Sequence, residues 1–330
     1  MKAKKAKKVS IILPTYNRKG LLEGTIRSLS GLDYPRRMYE IVVVDDGSTD
    51  GTGDAVKRLM KELPIRIQYH RQENARLSAA RNRAIKNSKG DIIVSIDDDM
   101  LFERGWLSAL IKPLEDPQVG VSGGPAIAPK TQPFFERCAD YCLTSFMGTG
   151  GIRGTTRRRM GKYYPRGGNM AIRKGVLDEI GLFDTKMIPG EDVDLDYRIE
   201  RAGYRMVFVP EAFVWHIPRS TMGGYIRQVY SRGVMRVKVM KRYRQSAEAI
   251  YAVPSLGLAG LIGLAALSLS SGLAAQVLGL AVVLYALALA ASGANSVRKV
   301  GSIKSFFVVP PLMFLQHLTY GVAFIIGNFR

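Results

Sequence analysis

Short runs of β-branched and other apolar residues alternate with longer amphipathic stretches along the N-terminal part of the chain. The apolar runs have the length of buried strands, and the amphipathic stretches repeat their apolar positions at helical spacing. We therefore predict strands at Val9–Leu13, Ile41–Val44, Ile65–Tyr69 and Ile92–Ile96. Between them we predict helices at Leu21–Leu29, Asp54–Met60 and Leu77–Asn87. This alternation predicts an α/β domain with a largely parallel sheet covered on both faces.

The C-terminal part of the chain has a different pattern, because no Asp, Glu, Lys or Arg occurs from Ala249 to Val297. As one helix this stretch would be roughly 70 Å long, against about 30 Å for the hydrocarbon core of a bilayer. The chain must therefore fold back, and Ser270–Gly272 offers the best turn. We predict two membrane spans, at 252–270 and 273–292.

A third apolar stretch covers residues 306–327 and is interrupted by Pro310 and Pro311. We predict that it either spans the membrane with a kink or is partly re-entrant. Residues 249–330 would then form a membrane domain of about three helices. A buried helical bundle in a soluble protein is the alternative, and the length of the charge-free stretch disfavours it.

The formal net charge of +20 admits several partners: nucleic acid, an anionic membrane or a phosphorylated substrate. The basic residues are concentrated in the tail 1–8 and in clusters at 153–174 and 219–244. The last cluster directly precedes the apolar C-terminal part, which favours the membrane. Nucleic acid is disfavoured, because acidic clusters elsewhere in the chain would repel its phosphates unless a metal intervened.

Lysine and arginine flank the predicted hairpin on both sides, at 219–244 before it and at 298–304 after it. A hairpin returns the chain to its starting side, so both basic flanks share one face of the membrane. The positive-inside bias makes that face cytosolic. We therefore expect an integral membrane protein whose N-terminal domain, residues 9–218, lies on the cytoplasmic face.

The segment 219–248 is basic, and apolar positions recur in it at helical spacing between residues 225 and 240. This pattern is typical of an amphipathic helix lying in an anionic membrane interface. An ordinary helix packed on the N-terminal domain fits the pattern equally well. The chain has two cysteines, Cys138 and Cys142, whose spacing predicts one helix face. Two buried small side chains explain them better than a disulfide framework or a metal site.

Polar residues follow three of the predicted strands at the points where those strands end. They are Pro14–Asn17 after the first strand, Asp45–Asp50 after the second and Asp97–Asp99 after a later one. Since parallel strands end at one edge of a sheet, these segments are predicted to line one pocket. A bound cation would relieve the repulsion among three consecutive carboxylates. Oxygen ligands of this kind suit Mg²⁺ or Mn²⁺, with substrate phosphates completing the shell, whereas the alternative is a solvated acidic turn.

The segment Asp45–Asp50 also has an explanation that needs no ligand. Its sequence is ordinary turn and helix N-cap chemistry before the helix predicted at Asp54–Met60. That explanation leaves Asp45 and Asp46 unaccounted for. One of these two carboxylates could accept hydrogen bonds from a nucleobase.

In these motifs the chain resembles the family 2 glycosyltransferases, which have the GT-A fold and invert the anomeric centre. The resemblance covers roughly residues 8–216. It rests on the order and spacing of Val9–Asn17, Val44–Asp50, Ala80–Asn82, Gly90–Asp91, Asp97–Asp99, Gly168–Ile172 and Gly190–Leu195. The implied fold is a nucleotide-sugar-binding domain with a mixed, mainly parallel sheet, followed by helical transmembrane segments.

The resemblance also implies a site for a nucleoside-diphosphate sugar. Its residues would be Pro14, Thr15, Asn17, Asp46, Arg81, Asp97, Asp98, Gly168, Asn169 and Arg232. By that resemblance Asp46 would bind the base, and Gly168 and Asn169 would line a sugar pocket. Arg232 could contact the diphosphate, although an arginine at the membrane interface explains it equally simply.

The same resemblance implies a divalent metal, Mg²⁺ or Mn²⁺, bound by Asp99 with Asp97 and His216 nearby. Asp192 occupies the position of the family's general base. Each of these assignments has a simpler alternative. His216 could be a packed or surface histidine, and Asp192 could be one of several acids that favour the start of a helix.

The chain departs from the family pattern at two places. Arg76 stands where many members have glycine, so the loop before the helix predicted at Leu77–Asn87 is expected to differ. Gln228 and Arg232 have the spacing of a motif found in processive synthases, but the tryptophan of that motif is missing. The sequence therefore does not predict processive polymerisation.

These observations predict a membrane-anchored glycosyltransferase that moves a sugar to a membrane-associated acceptor, for example a lipid-linked one or a polyprenyl phosphate. A sugar nucleotidyltransferase is the nearest rival enzyme, because it too uses carboxylates and a metal at strand ends. A non-catalytic nucleotide-binding membrane scaffold is the second alternative. The donor sugar, the base and the acceptor are left open by the sequence.

Overall fold

The computed structural model describes residues 7–127, 132–150, 164–216 and 221–329, with Gln245 described by its backbone alone. The chain divides into two units. The first comprises residues 1–129 and 161–217, and the second comprises residues 130–160 and 218–330. Most of the predicted basic tail 1–8 and part of the basic cluster 153–174 lie outside the described residues.

The first unit is built on two sheets. Its strands are β1 (Val9–Thr15), β2 (Tyr39–Asp45), β3 (Arg66–Arg71), β4 (Ile92–Ile96), β5 (Met100–Phe102), β6 (Val119–Gly123), β7 (Ala126–Ile127), β8 (Asn169–Arg173), β9 (Arg205–Phe208) and β10 (Val214–His216). The large sheet has the order β3-β2-β1-β4-β8-β6-β9. Strand β8 runs antiparallel to both of its neighbours, and the other pairs are parallel. The predicted mixed, mainly parallel sheet is confirmed.

Helices cover both faces of the large sheet. Those of the first unit are α1 (Lys19–Ser30), α2 (Thr52–Glu62), α3 (Arg76–Asn87), α4 (Trp106–Ile111), α7 (Lys174–Ile180) and α8 (Glu191–Arg201). Side chains of β1 alternate between two apolar cores. Ile11 packs in the core that contains Leu22 of α1, whereas Ile12 packs in the core that contains Ala84 of α3. The near-continuous apolar strands predicted this two-sided burial.

The strand register brings the polar strand ends together. Thr15 at the end of β1 pairs with Asp45 of β2, and Asp45 pairs with Arg71 of β3. The small sheet has the order β5-β10-β7, and its register pairs His216 with Met100. That pairing carries His216 to the segment that follows β4, although the two are far apart in sequence.

The second unit is helical. Its helices are α5 (Phe134–Thr144), α6 (Phe146–Thr149), α9 (Met222–Arg242), α10 (Val253–Leu267), α11 (Gly272–Ser296) and α12 (Ser305–Phe329). Residues 130–160, which we predicted within the domain 9–218, belong to this unit. The reason is packing: the buried Cys138 and Cys142 of α5 lie in one core with Met313 of α12. Both cysteines are fully buried, as expected, and both are free thiols.

Helix α9 corresponds to the predicted amphipathic segment, and its apolar face has a partner that we did not anticipate. Val229, Gly233 and Val237 are buried on one face of the helix. A Cβ added to Gly233 would lie 2.7 Å from the Cβ of Ala323, so α9 and α12 are in close contact. The apolar stripe therefore packs against α12 inside the second unit.

Two helices in the described part of the chain are long and apolar enough to cross a membrane, by length and composition. They are α11, continued by a π-helical turn to Gly301, and α12. Helix α10 has 15 residues. At 1.5 Å per residue it is roughly 22 Å long, which is shorter than the span predicted at 252–270 and than a hydrocarbon core of about 30 Å. Ser271 caps the N-terminus of α11, because its hydroxyl accepts a hydrogen bond from the N–H of Ala274 at 3.3 Å.

Pro310 and Pro311 lie inside the 25-residue helix α12 and do not end it, because the helix continues beyond them to Phe329. The prolines remove the amide donors that would bond the carbonyls of the preceding turn. Gly293 of α11 packs against this turn: an added Cβ would lie 2.9 Å from the carbonyl oxygen of Phe306 and 3.0 Å from Pro310 Cγ. The predicted interruption is thus accommodated within one helix.

Candidate active site

The ends of β1 and β4 meet at the Asp97–Asp99 triplet. Thr15 Oγ1 donates a hydrogen bond to Asp98 Oδ2 at 2.7 Å. Arg18 Nη1 donates to Asp98 Oδ1 at 2.9 Å and to Asp99 Oδ2 at 2.7 Å. The sequence predicted a cation that relieves repulsion in this triplet, and a guanidinium supplies part of that charge. We did not predict this role for Arg18, because its place after β1 does not say which carboxylates it reaches.

Of the two carboxylates bonded by Arg18, Asp98 is the more buried. Burial is the largest influence on its carboxyl group and raises its pKa to about 6. The positive charge of Arg18 and the hydrogen bond from Thr15 oppose this shift by stabilising the carboxylate. Asp98 is therefore held in place by the fold, which leaves its neighbours to face a ligand.

Asp99 has one oxygen that the fold does not use. Its Oδ1 atom is buried and has no hydrogen-bond partner among the described residues, while its Oδ2 atom is bonded by Arg18. The Nε2 atom of His216 lies 3.5 Å from Asp99 Oδ1. Within the described ranges, no group of three or more His, Cys, Asp or Glu side chains converges on a common metal position. Of the three predicted metal ligands, Asp99 and His216 are therefore adjacent, whereas Asp97 is bonded by Arg81.

Asp97 is joined to the start of α8 through Arg81. The Arg81 side chain is 2% exposed, and its Nη2 atom donates to Asp97 Oδ1 at 2.8 Å. Its Nη1 atom donates to Glu191 Oε1 at 3.0 Å. Burial alone would lower the pKa of Arg81, but Asp97, Glu191 and Asp192 outweigh it and raise that pKa. Glu191 is a further site residue that the sequence did not single out.

The acidic residues at the start of α8 have different environments. Glu191 is bonded by Arg81, and Asp194 is bonded by Arg198 at 3.0 Å. Asp196 is fully buried, and neither of its oxygens has a hydrogen-bond partner in the part of the chain that the structure describes; this burial raises its pKa well above the ordinary value. Asp192 is only half-buried, and it accepts hydrogen bonds from the N–H of Val193 at 2.9 Å and, with a longer distance of 3.4 Å, from the N–H of Gly167. Of these acids, Asp192 has both access to solvent and a place beside the strand ends.

Asp46 is held by the loop that precedes α3. Its Oδ1 atom accepts from Gln72 Nε2 at 2.7 Å and from the N–H of Ala75 at 2.9 Å. Its Oδ2 atom accepts from the N–H of Arg76 at 2.9 Å. Asp45 is similarly engaged, by the N–H of Ser48 and the hydroxyl of Tyr69, both at 2.7 Å. Both carboxylates that the turn chemistry left unexplained therefore have partners within the fold.

A cleft of about 490 Å³ lies beside this loop. It is lined by Gly47, Arg71, Gln72, Glu73 and Asn74. The loop has its sequence departure at Arg76, whose φ of 70° lies in the left-handed region that favours glycine. The loop was expected to differ from the family pattern, and the difference found is a strained backbone conformation at Arg76.

The segment after β1 is locked to the segment after β2. Asn17 has a φ of 51°, a conformation that asparagine tolerates better than most residues. Its N–H donates to Ser48 Oγ at 2.9 Å, and its Oδ1 atom accepts from the N–H of Thr49 at 2.7 Å. Pro14 is buried at the end of β1. These contacts bring the predicted nucleoside residues to the edge that carries the carboxylates.

Gly168 and Asn169 have different positions. A Cβ added to Gly168 would lie 2.4 Å from Asp97 Oδ2, so only glycine permits this close approach to the carboxylates. The Asn169 side chain is buried, where it accepts from Trp106 Nε1 at 3.0 Å and donates to the carbonyl of Ala212 at 2.8 Å. The Asn169 amide is thus used within the core, and its place in a sugar pocket stays a prediction.

Comparison with known families decides the class of the enzyme. The family model "Glycosyl transferase family 2" matches residues 10–181, which is more than half of the chain. The chain belongs to glycosyl transferase family 2. The predicted resemblance is confirmed, and so is its GT-A-like fold.

Three curated proteins with similar sequences are named as glycosyltransferases or as a polysaccharide synthase. Glycosyltransferase AglE of Haloferax volcanii is 26% identical over 257 residues, covering 77% of this chain and 81% of the relative. Probable glycosyltransferase YdaM of Bacillus subtilis is 29% identical over 68% of this chain. Poly-beta-1,6-N-acetyl-D-glucosamine synthase of Staphylococcus aureus is 26% identical over 67% of it. The chain spans about half the length of the last two, namely 54% and 52%.

A solved structure matches nearly the whole chain. Mannosyltransferase PcManGT from Pyrobaculum calidifontis, in complex with GDP-Man and Mn²⁺, aligns with a TM-score of 0.66 at 23% identity. The alignment covers 98% of this chain and 88% of that one. This likeness shows that the two proteins share a fold.

Family membership makes the chain an enzyme that transfers a sugar from a nucleotide sugar. The rival predictions, a nucleotidyltransferase and a non-catalytic scaffold, do not describe this family. Arg232, a predicted diphosphate contact of this glycosyltransferase, lies on α9 in the second unit. There it is half-buried, its Nη1 atom has no hydrogen-bond partner within the described ranges, and burial lowers its pKa to about 10.

Proposed function

We propose that this family 2 glycosyltransferase moves a sugar, with inversion, from a nucleoside-diphosphate sugar to a lipid-linked acceptor at a membrane, using Mg²⁺ or Mn²⁺. The observation that carries the proposal is the unbonded, buried Oδ1 atom of Asp99, 3.5 Å from His216 Nε2, at the meeting point of the strand ends. An unused carboxylate oxygen in such a place is a costly feature of a fold unless a ligand uses it.

The donor atoms of Asp99 and His216 fit a divalent metal. Mg²⁺ and Mn²⁺ accept carboxylate oxygens, Mn²⁺ also accepts imidazole, and both are commonly completed by substrate phosphates and water. Such a cation, when bound, stabilises the negative charge that develops on a departing diphosphate. The Mn²⁺ and GDP-Man bound to PcManGT support the same use here. Asp97 would contribute from the opposite side of the triplet, through the oxygen that Arg81 does not bond.

The donor nucleotide would lie along the edge formed by the ends of β1 and β2. Thr15 and Asn17 would line its nucleoside, with the base in the cleft of about 490 Å³ beside Gly47. The oxygens of Asp46 already accept three hydrogen bonds from the loop before α3. Asp46 would therefore affect the base indirectly, by holding in place the loop beside it. Gly168 would leave room for the sugar next to Asp97.

Asp192 would be the base that accepts the proton of an attacking hydroxyl. A carboxylate can serve in this way when it is within hydrogen-bond reach of the hydroxyl and is ionised. Asp192 has solvent access, and its carboxylate accepts only backbone N–H groups in the described part of the chain, from Gly167 at 3.4 Å and from Val193 at 2.9 Å. A phosphate acceptor is already ionised, so transfer to a polyprenyl phosphate would depend less on Asp192.

The membrane part of the proposal rests on α11 and α12. Both are long and apolar enough to span, and the most apolar window of α11 has no residue buried within the protein. Leu280 and Leu287, for example, are each 61% exposed. The basic α9 before these helices and the basic residues after α11 favour a cytoplasmic catalytic domain by the positive-inside bias. Lipid around these helices would bring a lipid-linked acceptor to the same molecule.

The test is a screen of nucleotide sugars with the full chain in detergent and added lipid extract. GDP-mannose and UDP-N-acetylglucosamine are tried first, each with Mn²⁺, with Mg²⁺ and with a chelator. We expect release of the nucleoside diphosphate, dependence on the metal, and label in the lipid fraction. Release of pyrophosphate would contradict sugar transfer, and label confined to water-soluble products would contradict the lipid-linked acceptor.

A matched pair of variants tests the role of the metal residues. Asp99→Asn should abolish the metal-dependent release of nucleoside diphosphate. Asp178→Asn makes the same change at an exposed carboxylate of α7 and should leave release unchanged. Equal activity in the two variants would exclude Asp99 as a metal ligand.

A further inference from the structure

The Arg81 side chain connects two parts of the active site that have separate tasks. It is 2% exposed, and its two terminal nitrogens bond Asp97 at the end of β4 and Glu191 at the start of α8. The guanidinium carbon also lies 5.3 Å from the centre of the Phe183 ring. A guanidinium is planar, and bonds to carboxylates at both of its ends fix their separation.

The same guanidinium is close to the backbone that contacts Asp192. A Cβ added to Gly167 would lie 2.6 Å from Arg81 Nη1, so Gly167 lies directly against Arg81. The N–H of Gly167 donates to Asp192 Oδ2 at 3.4 Å. Arg81 thus acts on Asp192 by two routes, through the adjacent Glu191 and through Gly167.

We propose that Arg81 and Glu191 are a positioning pair that sets Asp192 relative to Asp97, and that neither of them binds substrate. This inference rests on the proposed role of Asp192 as the base. It replaces the expectation that Arg81 contacts the nucleotide sugar. Both terminal nitrogens of this buried guanidinium already donate to carboxylates, which favours a positioning role over contact with the nucleotide.

The physical reason is the sensitivity of proton transfer to position. A base that moves by about 1 Å from its productive place can lose roughly 100-fold in rate. The donor pocket along β1 and β2 makes no contact with Glu191 among the interactions of the described residues. Loosening the pair should therefore slow the chemistry and leave donor binding unchanged.

The main variant is Glu191→Gln, which keeps the size of the side chain and an oxygen that accepts from Arg81 but removes its charge. The reaction measured is hydrolysis of GDP-mannose and UDP-N-acetylglucosamine by water, which needs no lipid acceptor. We expect kcat to fall about 10- to 100-fold, with KM and the Kd for the nucleoside diphosphate within about threefold of the unaltered chain. The Kd is measured by calorimetry and also reports whether the variant is folded.

A double variant separates positioning from an independent effect. If Glu191 acts through Asp192, then Glu191→Gln should cost nothing further in a chain that carries Asp192→Asn. Arg81→Lys is the second single variant: a lysine keeps the charge but cannot hold both carboxylates at once, so it should follow the Glu191→Gln pattern.

The outcomes distinguish this inference from the proposed function. Full hydrolysis by Asp192→Asn would overturn the base assignment, and the positioning role with it. Impaired Asp192→Asn beside unimpaired Glu191→Gln would overturn the positioning role alone. Losses that multiply in the double variant would also overturn it. A Kd for the nucleoside diphosphate in the absence of metal that rises tenfold or more in Arg81→Lys would restore Arg81 as a nucleotide ligand.

Discussion

Arg76 is the residue at which the strain of the fold can be measured most directly. Its φ of 70° places a residue with a Cβ in the left-handed region, which costs about 1–2 kcal/mol. The backbone there is fixed by the hydrogen bond from the Arg76 N–H to Asp46, which any residue but proline can donate. The Arg76 side chain is exposed. Arg76→Gly therefore removes the strain and keeps the hydrogen bond.

The expected gain is the strain minus the entropy that glycine adds to the unfolded chain. That entropy term is about 0.4–1 kcal/mol, so subtracting it from a strain of about 1–2 kcal/mol leaves a net stabilisation of about 0–1.6 kcal/mol, with a midpoint of about 0.8 kcal/mol. For a domain of this size, the melting temperature should rise by roughly 1–4 °C. The assay is thermal and denaturant unfolding of the full chain in detergent.

Ala75→Gly is the matched control. The Ala75 N–H donates to the same Asp46 carboxylate at 2.9 Å, but its φ of −122° carries no such strain. This variant should lose about 0.4–1 kcal/mol through the unfolded state alone. If both glycine variants were destabilised to the same degree, the reasoning about strain at Arg76 would be refuted.

Three further predictions concern the site. Asp46→Asn leaves backbone donors of the loop poorly paired, so the free energy of unfolding in urea should fall by about 1–3 kcal/mol, and an unchanged value would contradict the clamp. Gly168→Ala places a methyl group 2.4 Å from Asp97 Oδ2 and should lower kcat at least tenfold, whereas Gly175→Ala, with open space around it, should not. Asp196 has a raised pKa, so its stabilising contribution is complete at low pH and is lost as the pH rises above about 4. In urea unfolding, the stability of Asp196→Asn relative to the unaltered chain should therefore rise as the pH increases from about 4 towards the raised pKa of Asp196, by up to about 1.4 kcal/mol per pH unit, and a constant difference would contradict this.

The local pattern predicted the elements that place the site. The four predicted strands appear as β1–β4, and the three predicted helices appear as α1–α3, each with ends within a few residues. Their parallel order was enough to predict that Thr15 and the Asp97–Asp99 triplet would meet. This follows because periodicity fixes which face of an element is buried, and the parallel connection fixes which ends adjoin.

Partners between distant side chains could not be predicted in the same way. Arg18 and Asp46 illustrate this: the first bonds two carboxylates, and the second clamps a loop, yet neither spacing nor composition predicts their partners. Asn169 was assigned to a sugar pocket, but the indole of Trp106 holds it in the core. The segment that contains Cys138 was assigned to the wrong unit, because its apolar face fits either core by pattern alone.

The central claim is that strand ends converge to hold a divalent cation and a nucleoside diphosphate at Asp99. Its most direct measurement is the Kd of GDP and UDP for the full chain, by calorimetry, with and without Mn²⁺. For the preferred nucleotide, we predict binding at least tenfold tighter with Mn²⁺ in the unaltered chain and no such gain in Asp99→Asn. Equal affinities with and without Mn²⁺ in the unaltered chain, or an undiminished gain in the variant, would contradict the claim.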